Sequence, residues 1–195
     1  MGVKIGILAL QGDVSEHFSA FRKSLLSRGD SGKGEVLPVR KKEDLSVCDA
    51  LVIPGGESTT ISRLIEEHKL DRPITDFDGA IFATCAGMVL LCSKIRDPRI
   101  HPLGIMEMVV ERNAFGRQKE SFEADIEVKG LADPFHAVFI RAPVVTEVGR
   151  GIEILASIPE GVVGVRKDRH IAFSFHPELT SDLRLHDLFL GRLEC

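Results

Sequence analysis

Long apolar runs are missing from this chain: no stretch approaches the roughly 20 residues needed to span a bilayer, so no membrane association is expected. A basic excess is missing too. The 25 Lys and Arg residues face 29 Asp and Glu, for a net charge of −4, and no basic stripe interrupts that balance. The electrostatic footprint of a nucleic-acid binder is therefore absent. Cysteine is sparse: Cys48, Cys85, Cys92 and Cys195 have no C-x-x-C spacing, and four such residues in a cytosolic chain of this size read as free thiols. Neither H-E-x-x-H nor a paired-cysteine cluster is present, so no metal site is expected. The glycine-rich residues 29–34 lack the phosphate-binding G-x-G-x-x-G spacing and read as a surface connector. The amino terminus enters a strand pattern at once, without signal-peptide character, and Gly6 stands where a myristoylation motif wants Ser or Thr; a cytoplasmic location is expected. Internal repeats, linkers and low-complexity segments are also absent.

What the chain has is 195 residues, 44% hydrophobic and 28% charged, enough for one well-buried domain over residues 1–195. Residues 3–8 form a short, nearly continuous apolar run, as in a strand buried on both faces of a parallel sheet. Asp13 with Glu16 fits a capping-box variant, and Val14, Phe18, Phe21 and Leu25 recur at helical spacing. Strands are predicted at residues 36–39 and 50–53. The second runs into Pro54-Gly55-Gly56-Glu57-Ser58-Thr59, where Ser58 or Thr59 can cap a helix carrying Ile61, Leu64, Ile65 and His68. Residues 81–84 predict a strand, Cys85 a turn, and Met88-Val89-Leu90-Leu91 a helix. After Pro98 and Pro102, residues 104–110 resume as strand. Residues 122–128 alternate apolar and acidic, predicting a strand with one wet face. Residues 137–140, 152–158, 162–165 and 170–175 predict mostly antiparallel strands, and residues 183–193 a closing helix. The expected fold is α/β: a single-domain three-layer sandwich, a mixed and mostly parallel sheet with helices on both faces.

Chemistry concentrates in three places. Cys85 sits in a strand–turn–helix elbow, exposed above a sheet near a helix amino terminus, where a thiolate is favoured. His176-Pro177-Glu178 follows the last strong strand; in an extended segment residues i and i+2 share a side, so Glu178 can hold the His176 ring. The Gly55-Gly56 corner presents backbone N–H groups, and those of Gly56 and Ala86 are the candidates for an oxyanion hole. In the mechanism these imply, His176 takes the thiol proton, Cys85 attacks an acyl carbon, and the imidazolium assists the leaving amine. Arg112 and Arg141 each end an apolar strand, and either can anchor a substrate carboxylate or serve a structural ion pair. The remaining histidines, His17, His68, His101, His136, His170 and His186, lack a comparable local arrangement and are expected on surfaces or helix faces. Cys92, two helical turns beyond Cys85, is read as a core thiol, and residues 117–120 as a solvated charged turn.

With these residues in place the chain resembles the class I, triad-type glutamine amidotransferases, and within them the glutaminase subunits of pyridoxal 5'-phosphate synthase. The resemblance runs through Leu8-Ala9-Leu10-Gln11-Gly12-Asp13, the corner from Pro54 to Thr59, Thr84-Cys85-Ala86-Gly87, the nine residues 110–118, Ser121-Phe122-Glu123-Ala124-Asp125, Ile140-Arg141-Ala142-Pro143 and Phe175-His176-Pro177-Glu178-Leu179-Thr180. It implies hydrolysis of L-glutamine to glutamate and ammonia by Cys85, His176 and Glu178. It implies glutamine contacts at Gly55, Gly56, Glu57, Ser58, Arg112, Ile140 and Arg141. It further implies transfer of the ammonia to a separate barrel-shaped synthase subunit in a hetero-oligomer. Pyridoxal phosphate is then the partner's product, and no cofactor is expected here. One departure stands out: Ala83 replaces the glycine common at that elbow position, and its methyl group is expected to crowd Cys85. Two rivals are a stand-alone cysteine hydrolase or stress protein of the related α/β superfamily and a non-catalytic regulatory subunit. The histidine–glutamate step and the complete triad argue against both.

Overall fold

Four consecutive buried residues, Ala50 to Ile53, form β3, and all five residues of β4 (Ala80–Thr84) are buried as well. Such runs can only sit in the middle of a sheet covered on both sides. The computed structural model describes residues 2–28, 34–112, 114–115 and 121–193. β3 and β4 lie at the centre of a ten-stranded mixed sheet together with β1 (Lys4–Leu8), β2 (Glu35–Val39), β5 (Cys92–Ile95), β6 (Met106–Glu111), β9 (Val144–Val148), β10 (Glu153–Ile158), β11 (Gly161–Lys167) and β12 (His170–Phe173). The order is β2-β1-β3-β4-β12-β11-β9-β6-β5, with β10 added beside β11. β2, β1, β3, β4 and β12 are mutually parallel, and β11 turns the direction. A separate hairpin joins β7 (Ser121–Ile126) to β8 (Phe135–Ile140).

The period-2 alternation of strand side chains divides the core into two clusters, one per face. Ile5, Ile7, Ala50, Val52, Phe82 and Phe173 meet α1 (Val14–Ser27) and α6 (Arg184–Leu190) through Phe21, Leu25, Leu185 and Phe189. Leu51, Ile53, Ile81, Ala83 and Ala172 meet α3 (Ser58–Glu67), α4 (Asp71–Thr75) and α5 (Ala86–Leu91) through Ile61, Ile65, Ile74, Met88 and Leu90. Full burial of one such side chain, Phe82 for example, is worth roughly 1.5–3 kcal/mol. The expected three-layer α/β arrangement is present. Among the described residues no helix is long and apolar enough to cross a membrane.

Several local expectations are corrected. Asp13 occupies the N-cap of α1, but its carboxylate makes no capping hydrogen bond. The N-cap of α3 is Glu57, whose carboxylate accepts from Thr60 N–H, while Ser58 begins the helix. α5 stops at Leu91, so Cys92 does not continue a helical face; it starts β5 as a fully buried thiol donating to the Lys94 carbonyl. The short α2 (Lys42–Leu45), α4, β5 and β9 had no sequence prediction, because none is long enough to show a period. The alternation predicted over residues 122–128 is realised in β7: Phe122 packs on Phe139 with ring centroids 4.5 Å apart, while Glu123 and Asp125 both hold His136 on the outer face. Met1, residues 29–33, Asn113, residues 116–120, Glu194 and Cys195 lie outside the described residues, and with them most of the glycine-rich connector and the charged turn.

Candidate active site

Because β1, β3, β4 and β12 are adjacent and parallel, their carboxyl ends emerge at one edge of the sheet. In an open α/β sheet that edge is where ligands bind. Each strand delivers one segment there: Gln11 to Asp13 after β1, Pro54 to Glu57 after β3, Cys85 after β4, and Ser174 to Glu178 after β12. Cys85 N–H donates to the Phe173 carbonyl at 2.8 Å, extending the parallel ladder by one rung, and the Cys85 carbonyl accepts the first helical bond from Val89 at 3.2 Å. A strand and a helix with Cys85 alone between them force it to φ 46° and ψ −103°. This is a region that costs a non-glycine residue on the order of 1–3 kcal/mol. Gly87 makes the turn possible, since a Cβ there would lie 2.2 Å from the Ile53 carbonyl oxygen. The Ala83 methyl occupies space next to this missing side chain, 3.2 Å from where a Gly87 Cβ would stand, and is fully buried. Ala83 thus packs beside Gly87, and Cys85 has a positive φ.

His176 and Glu178 come together as predicted, on a different backbone. Residues Pro177–Leu179 form a 3-10 turn instead of an extended segment. His176 N–H donates to the Val138 carbonyl at 2.9 Å, and the side-chain Nδ1 lies 2.8 Å from Glu178 Oε1. With Nδ1 engaged, Nε2 is the ring nitrogen left to exchange a proton, and Cys85 is among the groups that raise the proton affinity of the imidazole. The Cys85 thiol also faces the Ile140 carbonyl at 3.8 Å, which brings the end of β8 into the site. Next to it Arg141 adopts φ 44°. Burial alone would lower the proton affinity of His176; hydrogen bonds to Asp13, Cys85 and Glu178, with the Glu178 charge, outweigh it and push His176 up to about 12. Burial pushes Glu178 up, but the charge and hydrogen bonds of His17 and His176 outweigh that and hold it well below the usual carboxylate range.

The corner after β3 is packed against the same imidazole. A Cβ on Gly55 would stand 2.5 Å from His176 Cε1, and one on Gly56 (φ 148°) would stand 2.7 Å from Gln11 Oε1. Glu57 N–H donates to that Gln11 oxygen at 3.0 Å, while Gly55 N–H donates to Thr84 Oγ1 at 3.1 Å. Ser58 and Ala86 are buried at the starts of α3 and α5. Arg112 reaches the corner through Glu57 Oε1 at 3.2 Å and is also held by Asp97 at 2.7 Å, so it is engaged by two carboxylates.

Sequence reasoning missed Asp13 and His17. Asp13 leaves its helix uncapped and places Oδ2 3.3 Å from His176 Nδ1, so the imidazole lies against two carboxylates. His17, expected on a surface or helix face, is fully buried behind Glu178, as is His186 further back. Their i, i+4 spacing on α1 was the available signal, since it puts Asp13 and His17 on one face of the helix. Asp13, His176 and Glu178 place ligand atoms within 4.8 Å of one another. In this cluster, however, Nδ1 is already the hydrogen-bond donor to the carboxylates, which orients the ring instead of offering a lone pair to a cation.

A cysteine on a strained elbow beside a carboxylate-bound histidine, at the edge of a mixed sheet, is the equipment of an acyl-transfer hydrolase. The class is sharpened by solved structures. A crystal structure of a glutamine amidotransferase superposes with a TM-score of 0.86 at 46% identity, covering 98% of this chain and 99% of its own. The glutaminase domain of Trypanosoma brucei CTPS with bound acivicin shares the fold at 13% identity, with a TM-score of 0.63 over 98% of this chain and 94% of that one. The chain belongs to the SNO glutamine amidotransferase family, whose profile matches residues 7–195. Among its relatives, the pyridoxal 5'-phosphate synthase subunit PdxT of Methanoculleus marisnigri is 60% identical over 194 residues, covering 100% of both chains. That of Methanoregula boonei is 59% identical over 98% of this chain and 99% of its own.

Proposed function

We propose that residues 1–195 act as one glutaminase domain that hydrolyses L-glutamine and passes the ammonia to a barrel-shaped pyridoxal 5'-phosphate synthase subunit in a cytoplasmic hetero-oligomer. The observation that carries the chemistry is the Cys85–His176–Glu178 arrangement: one imidazole held through Nδ1 by a buried carboxylate at 2.8 Å, with the Cys85 thiol among the groups that raise its proton affinity. Full-length similarity to synthase subunits supports the destination of the ammonia. The unpaired thiols Cys48, Cys85 and Cys92 fit a reducing compartment.

In this reading Glu178 fixes the tautomer of His176 and stabilises the imidazolium formed when the Cys85 proton moves to Nε2. The thiolate adds to the glutamine side-chain amide carbon. The resulting oxyanion is met by the N–H groups of Gly56 and Ala86, at the amino ends of the corner and of α5. Collapse releases ammonia, protonated by His176, and leaves a thioester, which a water molecule activated by the same imidazole hydrolyses to glutamate. The substrate contacts in this reading are the Gly55 to Ser58 corner and the Ile140-Arg141 turn, supported by the Ile140 carbonyl 3.8 Å from the thiol and by the close approach of Gly55 to His176. Arg112 and Arg141 offer guanidinium groups to the α-carboxylate; for Arg112 this means exchanging one of its present carboxylate partners.

The test is glutamate release from glutamine by the chain mixed with its synthase partner, with Cys85→Ala as the variant. Loss of turnover in a folded Cys85→Ala protein is expected, with ring synthesis by the mutant mixture restored by added ammonium salt. Unchanged turnover would remove Cys85 from the chemistry, and failure of ammonia to restore the product would refute the transfer.

A further inference from the structure

Behind the triad lies a buried polar layer that the reaction described so far does not use. Glu178 Oε1 gathers three donors: His176 Nδ1 at 2.8 Å, Thr84 Oγ1 at 3.3 Å and His17 Nε2 at 3.3 Å. Its other oxygen, Oε2, is buried with no hydrogen-bond partner among the described residues. All the neutralisation this carboxylate receives therefore arrives at one atom. His17 Nε2 is also 3.0 Å from Thr84 Oγ1, whose hydroxyl donates to Glu178 and accepts Gly55 N–H. Since Glu178 can only accept and the Thr84 hydrogen is already directed at it, Nε2 must carry the His17 proton and share it between the two oxygens. The ring is locked in that pose: it is fully buried, stacks with Phe21 at 6.4 Å and meets the edge of Phe82 at 6.2 Å. Thr84 immediately precedes Cys85, and Gly55 packs on His176, so the two atoms that His17 holds connect the elbow, the corner and the orienting carboxylate.

We infer that His17 is a positioning residue of the glutaminase reaction, which pins Glu178 through Nε2 and so sets both the pose and the basicity of His176. The inference rests on the functional reading above. It has a definite electrostatic sign. A donor on a carboxylate withdraws charge from it, so removing His17 leaves Glu178 a stronger partner for the imidazolium and raises the pH at which His176 deprotonates. At the same time Glu178 loses the contact that fixes its rotamer, which misplaces the base and lowers turnover without touching the substrate. The groups facing His176 are Asp13 from the start of α1, Cys85 from the elbow and Glu178 from its own turn. Behind Glu178 stand His17 from α1 and His186 from α6, with those two rings 6.4 Å apart.

The experiment compares His17→Phe, which keeps the packing without a donor, with His17→Gln, whose amide nitrogen reaches the Nε2 position. Each is assayed in the complex with the synthase subunit for kcat and KM, and by the pH dependence of Cys85 alkylation with iodoacetamide, which needs no glutamine. His17→Phe is expected to lose kcat on the order of 100-fold, with KM within threefold of wild type on the scale of about 0.6 kcal/mol of binding. The alkaline limb of its alkylation profile is expected to move to higher pH, and His17→Gln to recover most of both. A folded His17→Phe with wild-type kcat and an unshifted limb overturns the inference, as does a His17→Gln variant as impaired as His17→Phe. If His17→Phe does not fold, His17→Asn takes its place, because its shorter amide cannot reach Glu178; equal activity of the Asn and Gln variants then overturns the inference. Turnover by Cys85→Ala in the same assay would instead overturn the glutaminase reading itself.

Discussion

Substituting Gly55 by alanine tests whether the corner after β3 is shaped by the imidazole of His176. The added Cβ would stand 2.5 Å from His176 Cε1, 3.0 Å from its Nδ1 and 2.8 Å from Asp13 Oδ2. Carbon atoms rest at about 3.5–4.0 Å, so relief requires a separation of roughly 1 Å. The His176 main chain cannot supply it, being tied to Val138 at 2.9 Å, and Gly55 itself is held through Thr84 and through its carbonyl, which accepts Asp13 N–H at 3.1 Å. The ring must therefore rotate, stretching its 2.8 Å contact to Glu178 and its approach to Cys85. A displacement of about 1 Å in a reacting group costs on the order of 100-fold in rate, or about 2.7 kcal/mol of transition-state stabilisation. The expected phenotype of Gly55→Ala is a loss of that size in kcat, with about 1–3 kcal/mol of overpacking cost in stability. Initial-rate glutaminase assays with saturating synthase partner measure the first, and urea midpoints the second. Gly151→Ala is the control: its φ of 75° adds backbone strain, but its Cβ would meet nothing within 4 Å, so no steric clash is added. A folded Gly55→Ala enzyme with kcat within threefold of wild type would refute the steric coupling of corner and base.

Asp13→Asn removes the first of the hydrogen-bond partners that raise His176, so the imidazolium should lose its proton at lower pH and the alkaline limb of Cys85 alkylation should move down; an unshifted limb would leave Asp13 without influence on the base. His186 is buried against Phe21 and Phe82, with neither ring nitrogen hydrogen-bonded among the described residues, and burial, with the His17 charge, pushes it down to about 3. A histidine lowered from its ordinary value of about 6.5 is protonated in the unfolded chain first, so its contribution is intact above that pH and lost as pH falls from about 6.5 toward 3. His186→Phe should remove a desolvation penalty of about 1–3 kcal/mol at neutral pH. It should also abolish a loss of about 2 kcal/mol between pH 7 and pH 5. Urea midpoints at the two pH values measure both, and identical pH slopes for variant and wild type would contradict the assignment.

Periodicity and local chemistry carried the sequence reading far. The central strands announced themselves because a strand covered on both faces must be apolar at every position, as Ala50 to Ile53 are. The cysteine elbow, the Gly-Gly corner and the His-Pro-Glu step were legible because each needs its residue types within a few positions of one another. Glu178 was correctly placed beside His176 although the backbone turned out to be a 3-10 turn, since either geometry keeps an i, i+2 pair within reach. The short α2, α4, β5 and β9 were not legible, because four or five residues are too few to show a period.

What the amino-acid order determined by itself was therefore the α/β layering, the three candidate site segments and, through resemblance, the family. Only the tertiary structure decided how those segments meet. Parallel pairing of β1, β3, β4 and β12 brings four distant loops to one edge, and no local pattern encodes which strands become neighbours. The same assembly turned Asp13 from an expected helix cap into a second carboxylate on His176, and His17 from an expected helix-face residue into the buried partner of Glu178. A side chain's neighbours are set by packing across the sheet, and a buried charge takes whatever donors that packing supplies. That is why the candidate residues for the chemistry could be read along the chain, while the neighbours that packing brings against them could not.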